Sequence, residues 1–268
     1  MAITKLVLNG TEYEIGNLVN TTGPMLYDGI ELEDYTWADF QTMCDNGDFE
    51  NLREGDYKTI ELTTGETVVM QIAGIDTYYK TTDVSLGHHI DWISKDCLST
   101  TQQWNTSNNN NGNSTSAHPY MVSNIYTVLN KTIYPTLPSD VRAVIFNKRT
   151  LVEQRYSSSS TLTDSTGWEW EDLGSIWLPS EYEVFGSQIC GTKRWAAAQA
   201  VQYPLFANSF YHRIKGQGDG GSRCTWWLST VNSGNSTHCC SVNYYGSANP
   251  TYASYSYGVP VCFRIAAS

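Results

Sequence analysis

Positive charge is scarce in this chain: 16 Lys and Arg stand against 27 Asp and Glu, a formal charge of −11 over 268 residues. A nucleic-acid backbone is gripped by basic stripes, so this balance argues against a nucleic-acid partner and favours solubility instead. Long apolar runs are missing as well. None approaches the roughly 20 residues that span a bilayer, which argues against membrane insertion. The start, Met1-Ala2-Ile3-Thr4-Lys5-Leu6-Val7-Leu8, is too short and too strand-like for a signal peptide. The expectation is synthesis in a cytoplasm without signal-directed export.

A regular cysteine framework is absent. Cys44, Cys97, Cys190, Cys224, Cys239, Cys240 and Cys262 are odd in number and irregular in spacing, which fits free, mostly buried thiols better than a disulfide scaffold. His238-Cys239-Cys240 invites a metal reading, but consecutive strand residues point to opposite faces and no second cluster completes a ligand set. No metal and no cofactor is therefore expected. Catalytic signals are lacking too. None of His88, His89, His118, His212 and His238 lies in a nucleophile elbow, and the glycine loop at 216–221 has no P-loop lysine after it. Glu169, Glu171 and Asp172 beside Trp168 and Trp170 suit a sugar grip or, more simply, a solvated loop over buried tryptophan.

What the chain has in abundance lies near its end. Residues 229–257 are built almost wholly of Ser, Thr, Asn, Tyr and Gly, without one Lys, Arg, Asp or Glu. Apolar anchors flank the stretch, Thr225-Trp226-Trp227-Leu228 before it and Gly258-Val259-Pro260-Val261-Cys262-Phe263-Arg264-Ile265 after it. Disordered tails are poor in aromatics, whereas this segment carries Tyr244, Tyr245, Tyr252, Tyr255 and Tyr257. Tyrosine supplies large amphipathic contact area at low entropic cost while Ser, Gly and Asn adapt their hydrogen bonds, the vocabulary of a binding surface. The same residue types also populate the solvated face of any antiparallel sheet. On the binding reading, Asn232, His238, Asn243, Tyr244, Tyr245, Asn249, Tyr252, Tyr255 and Tyr257 lie together on one exposed face.

Elsewhere the pattern alternates between short elements. Residues 1–52 read as a small N-terminal unit, with strands at 5–8 and 11–15 joined by Asn9-Gly10, the strongest short hairpin signal. A helix at 37–46 is capped by Thr36 and stopped by Gly47. From residue 53 to 268 a larger α+β domain follows. Strands are expected at 57–62, 67–75, 176–178, 226–229, 239–244 and 259–265, and helices at 120–130 and from Ser139 through Ile145. Ser180 and Glu183 form a capping box for a helical turn at 181–185. Residues 194–206 read as weakly helical and limited by Pro204, and 102–116 and 156–170 read as exposed polar loops.

One ordered succession of motifs is more specific than its parts: Ser123-x5-Leu129-Asn130, Leu137-Pro138, Leu178-Pro179-Ser180-x2-Glu183-Val184-Phe185-Gly186, Trp226-Trp227-Leu228-x-Thr230 and Gly258-Val259-Pro260-Val261-x-Phe263-x-Ile265. Over residues 57–268 it resembles a family of domains in gut bacterial and phage proteins. Their fold is of the C-type lectin class, in the subgroup related to formylglycine-generating enzymes. One branch of that fold comprises the variable proteins of diversity-generating retroelements, including phage tropism determinants, whose hypervariable C-terminal segment is rewritten at adenines, above all in Asn codons. Residues 229–257 resemble that residue spectrum and lie where the branch would place it.

The resemblance implies a binding protein and not an enzyme. Its partner would be a host-cell surface protein or glycan. Its place would be a virion tail if it is phage-encoded, with the N-terminal unit docking to other tail proteins and homo-oligomerisation left open. The alternative is an oxidoreductase of the formylglycine-generating type, or a hydrolase, on the same fold. Against it, Gly220-Gly221-Ser222-Arg223-Cys224 departs from the enzymes' Arg-Gly-Gly-Ser-Trp-like order, and Cys239-Cys240 does not match their cysteine arrangement.

Overall fold

The computed structural model describes residues 5–8, 11–14, 29–112, 118–155, 162–193 and 201–268. About 19% of the chain is helix and 30% strand, which makes the fold mixed α and β. Strands β1 (Lys5–Leu8) and β2 (Thr11–Glu14) pair antiparallel with Leu8 opposite Thr11, the hairpin expected from Asn9-Gly10. Residues 9, 10 and 15 themselves lie outside the described residues.

Helix α1 (Trp37–Asn46) begins where local chemistry starts it. The Thr36 hydroxyl accepts from the Asp39 amide while the Asp39 carboxylate accepts from the Thr36 amide at 2.6 Å, and Gly47 ends the helix at φ 66°. Its apolar stripe, Trp37, Phe40 and Cys44, is buried against the main sheet. That sheet has the order β15-β5-β4-β3, made by β3 (Tyr57–Glu61), β4 (Thr67–Ile75), β5 (His89–Ser94) and the terminal β15 (Cys262–Ala266). The rings of Trp37 and Phe40 lie 5.1 and 5.0 Å from that of Trp92 on β5, and Phe263 on β15 meets Trp37 at 5.6 Å. Among the described residues, 29–52 share one hydrophobic core with residues on both sides of the expected division at residue 52. A helix whose Trp37 and Phe40 rings are apolar must bury them on a neighbour, and here the neighbours are β5 and the C-terminal strand.

Both β5 and β15 are buried at every position. Strand β15 ends the sheet but is not exposed, since Trp177 bridges Cys262 and Phe146 bridges Arg264 on its outer side. Residues 176–178 are buried as expected, although only this bridge joins them to the sheet. Val259 and Val261 are buried before the ladder begins, their carbonyls accepting from Leu98 and Ser94 at 3.0 and 2.9 Å.

The middle of the chain departs more from expectation. Residues 102–112 are not an exposed loop. Strand β6 (Gln102–Gln103) opens the segment, and Trp104, Asn110 and Asn111 are buried in it. Helix α2 (Asn124–Val128) starts at a Ser123 cap and not at residue 120, because Tyr120 is drawn into the core, where its hydroxyl accepts from the Leu178 amide at 2.8 Å. It continues as a π turn (Leu129–Ile133) and a 3-10 turn (Tyr134–Thr136), and α3 (Ser139–Val144) follows.

Residues 167–170, expected in a polar loop, belong to β8 (Gly167–Asp172), which pairs with β7 (Arg149–Gln154) along its whole length. The Trp-Glu-Trp-Glu alternation is a period-two strand pattern with charge on its solvent side. Helix α4 (Glu181–Phe185) carries the Ser180–Glu183 capping box as read. Pro204 opens α5 (Pro204–Asn208) instead of limiting a helix, since the first turn has no use for its missing N–H. The rest of the expected helix, 194–200, lies outside the described residues. A 3-10 turn (Phe210–Arg213) leads to the small pair β9 (Lys215–Gly216) and β10 (Arg223–Cys224). All seven cysteines are free, five of them buried, as their irregular spacing suggested.

Candidate ligand-binding surface

Strands β11 (Trp226–Val231), β12 (His238–Val242) and β13 (Ala248–Tyr252) form a three-stranded antiparallel sheet in that order. Strand β14 (Ser256–Tyr257) returns from it to pair with β6. The sheet is anchored through indoles whose N–H groups all find carbonyls: Trp226 to Arg213 at 2.8 Å, Trp227 to Gln102 at 2.8 Å, and Trp104 to Leu228 at 3.0 Å. Buried tryptophan that satisfies its polar edge makes a rigid base.

Two groups of aromatic side chains stand on this base. The first is the β12–β13 hairpin tip. There Asn243 Oδ1 accepts from the amides of Tyr245 and Ser247 at 2.9 and 3.1 Å, closing the turn, and Gly246 holds φ 85°. Gly246 packs so close to the 3-10 turn that a Cβ there would stand 3.1 Å from Ile214 Cγ1. Tyr244 and Tyr245 project from this tip with ring centroids 4.1 Å apart. Beyond Gly246, Phe210 and Tyr211 form a second exposed ring pair, also 4.1 Å apart. These two residues lie outside 229–257 and no compositional signal marks them.

The second group sits at the far end of the hairpin, five strand steps or roughly 17 Å from the turn. His238 is opposite Tyr252, their rings 4.2 Å apart, and the contact chain runs on through Tyr255 at 5.4 Å to Tyr257 at 6.1 Å. Tyr257 leans on Trp227 and is half-buried. Tyr244, Tyr245, Tyr252 and Tyr255 are between 40% and 62% exposed.

Two residues expected on this face are elsewhere. Asn232 is only 8% exposed, its side chain donating to the Cys190 carbonyl at 3.0 Å. Asn249 is paired with buried Ser241, so strand alternation turns it to the face opposite Tyr252. Asn243 serves the turn. The expected single face is therefore two aromatic groups, with Tyr244 and Tyr245 in one and His238, Tyr252, Tyr255 and Tyr257 in the other.

The framework beneath is polar. Buried Asn110 donates to the carbonyls of Asn235, at 2.8 Å, and of His238, while Arg155 donates to Asn110 Oδ1 at 3.2 Å and to the Asn232 carbonyl at 2.6 Å. Asn105 donates its amide to the Ala253 carbonyl at 2.9 Å, and Asn108 Oδ1 accepts from the Ser254 hydroxyl at 2.7 Å. The Asn-rich segment is thus the buttress of the tyrosine segment. Burial pushes the His238 imidazole below its usual 6.5, so the ring is neutral at pH 7 and the surface built from 229–257 carries no charge.

Residues 92–267 match the family described as a domain of unknown function (DUF6273). The chain belongs to the DUF6273 family. The match runs from β5 to the end of β15 and takes in the whole of both aromatic groups and their buttress. No curated protein and no solved structure matches the chain.

Two further places hold convergent polar groups. A cleft of about 650 Å³ of atom-free space, partly open to solvent, is lined by Tyr78, Lys148, Trp168, Ser180, Glu183 and neighbouring residues. Lys148 pairs with Glu183 there, and Tyr78 donates to the same carboxylate at 2.8 Å, so those two charges are spent on each other. The other place is the group His118, Glu169 and Glu171, whose ligand atoms lie within 4.8 Å of one another. Among the described residues, no helix is long and apolar enough to cross a membrane.

Proposed function

We propose that this DUF6273 protein is a ligand-binding protein that presents an uncharged tyrosine surface on a scaffold of the C-type lectin class. The observation that carries the reading is the union of four exposed tyrosines with a base in which buried indoles, Asn110 and Arg155 all bond into the backbone beneath them. Exposed aromatics on a rigid, hydrogen-bonded base lose little entropy on binding, which is what a recognition surface requires. In this reading the segment 229–257 is diversified by a retroelement, and the protein recognises a host-cell surface protein or glycan from a phage or prophage tail. It binds without catalysing.

Two measurements test it. The DNA beside the gene should contain a near-copy of the segment encoding 226–265 that differs only at template adenines, next to a reverse transcriptase. Fluorescently labelled protein should bind intact bacterial cells of a susceptible strain, and a Tyr244→Ala, Tyr252→Ala variant should not. Protease or periodate treatment of the cells then separates a protein from a glycan target. Equal binding by both proteins sinks the reading.

A further inference from the structure

The alternation Trp168-Glu169-Trp170-Glu171 on β8 sets two carboxylates two residues apart, and therefore on one face of the strand. Neighbouring like charges on one sheet face destabilise it unless a cation stands between them. The closest basic side chain on the partner strand, Arg149, is already held by Asp83 through contacts of 2.7 to 3.1 Å. What meets the two carboxylates is His118, from the turn before α2, whose side chain is 10% exposed. Its Nε2 lies 3.4 Å from Glu169 Oε2 and 3.1 Å from Glu171 Oε1.

These separations have a chemical meaning. Nitrogen and oxygen donors each about 2.0–2.1 Å from a tetrahedral ion stand roughly 3.3 Å from one another. The two distances bracket that value, and all three ligand atoms lie within 4.8 Å of one another, so an ion can enter between the ring and the carboxylates. A support is also in place, since Gln154 Nε2 donates to Glu169 Oε2 at 2.7 Å and orients that carboxylate from the neighbouring strand. An imidazole beside two carboxylates suits zinc and its neighbours, whereas calcium and magnesium prefer all-oxygen sets.

We propose that His118, Glu169 and Glu171 form a binding site for a divalent transition metal of the zinc type, with a fourth position on the solvent side beside Glu169. This site is independent of the tyrosine surface. It fixes the β7–β8 hairpin to the turn before α2, two parts of the chain about fifty residues apart in sequence.

The test uses the full chain, stripped with EDTA, and two probes, Zn²⁺ alone and Co²⁺ alone. Calorimetry should give one equivalent of Zn²⁺, with Ca²⁺ and Mg²⁺ far weaker. Loss of an outer-sphere partner already costs about 10- to 100-fold in metal affinity, so His118→Ala and Glu171→Gln should each weaken Zn²⁺ by at least tenfold. The exposed Glu169→Gln change does the same without touching the core, which keeps the test open should the buried His118 variant fail to fold. Cobalt should give visible d–d bands and no thiolate charge-transfer band, separating this site from the free cysteines. No stoichiometric binding, unchanged affinity in Glu169→Gln and Glu171→Gln, or a thiolate band overturns the proposal.

Discussion

Arg264 and Asp91 face each other across β15 and β5, joined by Nε to Oδ1 at 2.7 Å and Nη2 to Oδ2 at 2.8 Å, each about 1% exposed. Burial alone would raise the Asp91 carboxyl, but the Arg264 charge and its two hydrogen bonds outweigh burial and hold it below the usual carboxylate range. The last strand is therefore fastened at its centre by a bidentate ion pair as well as by its ladder.

Arg264→Leu should cost about 3–5 kcal/mol, because it leaves a buried carboxylate without its partner. Adding Asp91→Leu should return a large part of that loss, since an apolar pair of similar volume removes the stranded charge. Urea unfolding of the two variants checks this. A single variant as stable as the parent would mean that the pair is not a keystone of the sheet.

Deleting residues 258–268 should abolish cooperative unfolding. Strand β15 contributes Phe263 and Ile265 to the core under α1, and the deletion also removes the partners of Trp177 and Phe146. Near-UV circular dichroism of the truncated chain should lose its tryptophan bands. A sharp melt with those bands retained counts against a fold closed by its last strand.

Elements set by local chemistry were legible in the sequence. Helices α1 and α4 carry caps within three residues of their starts and glycine stops at Gly47 and Gly186, so nothing distant was needed to find them. Elements set by partners far along the chain were not. Gln102 pairs with Tyr257 and Asn110 bonds to carbonyls at 232, 235 and 238, and no property of an Asn-rich run announces those partners. The β8 alternation was readable, but its polar neighbours at 156–166 outweighed it. At the candidate surface, composition found the exposed tyrosines, yet it could not tell that Asn232 faces inward or that Phe210 and Tyr211 flank the tip.

Acidification should weaken the fold beginning near pH 6.5, in a way traceable to His89. Its Nε2 accepts from the Tyr78 amide at 3.0 Å and its Nδ1 faces the Gly87 carbonyl at 3.0 Å, a pattern that only the neutral ring satisfies. Burial pushes the native imidazole below its usual 6.5. As pH falls below that of the unfolded ring, about 6.5, the unfolded chain takes up a proton that the native state refuses, so stability drops. Asp91 adds a loss at much lower pH, when its depressed carboxyl is finally protonated. Urea midpoints at pH 7.5 and 5.5 should differ in the parent and differ less in His89→Gln, whatever that substitution costs overall, with half-buried His238 keeping its own share of the same sign. An unaltered pH dependence in the variant assigns the effect to another group.

Asn110→Ala should loosen the tyrosine segment from beneath. The substitution removes the side chain's bonds to the carbonyls of Asn235 and His238 and to Arg155, while the Asn232 amide still reaches the His238 carbonyl at 3.2 Å and Arg155 Nη1 the Asn235 carbonyl at 3.4 Å, so the cost should be about 1 kcal/mol. Hydrogen exchange should quicken at residues 232–238 before it changes in β4 or β5. Uniform protection across the chain would show that the buttress is redundant.

Tyr244→Ala together with Tyr252→Ala tests the surface itself. Both residues are on the surface, 47% and 40% exposed, so stability should shift by about half a kcal/mol or less for each. Aromatic hot spots contribute on the order of 2 kcal/mol each, and the two tyrosines belong to separate ring groups at opposite ends of the β12–β13 hairpin, with no ring contact between them. Their losses should therefore nearly add, giving a fall in affinity of roughly a hundredfold or more, with each single variant intermediate. Phe210→Ala should weaken binding in the same direction as Tyr244→Ala if the target spans the hairpin tip, and leave it unchanged if the target sits only on Tyr252 and Tyr255. A melting temperature that collapses in the double variant, or binding that persists at full strength, would remove these tyrosines from the recognition surface.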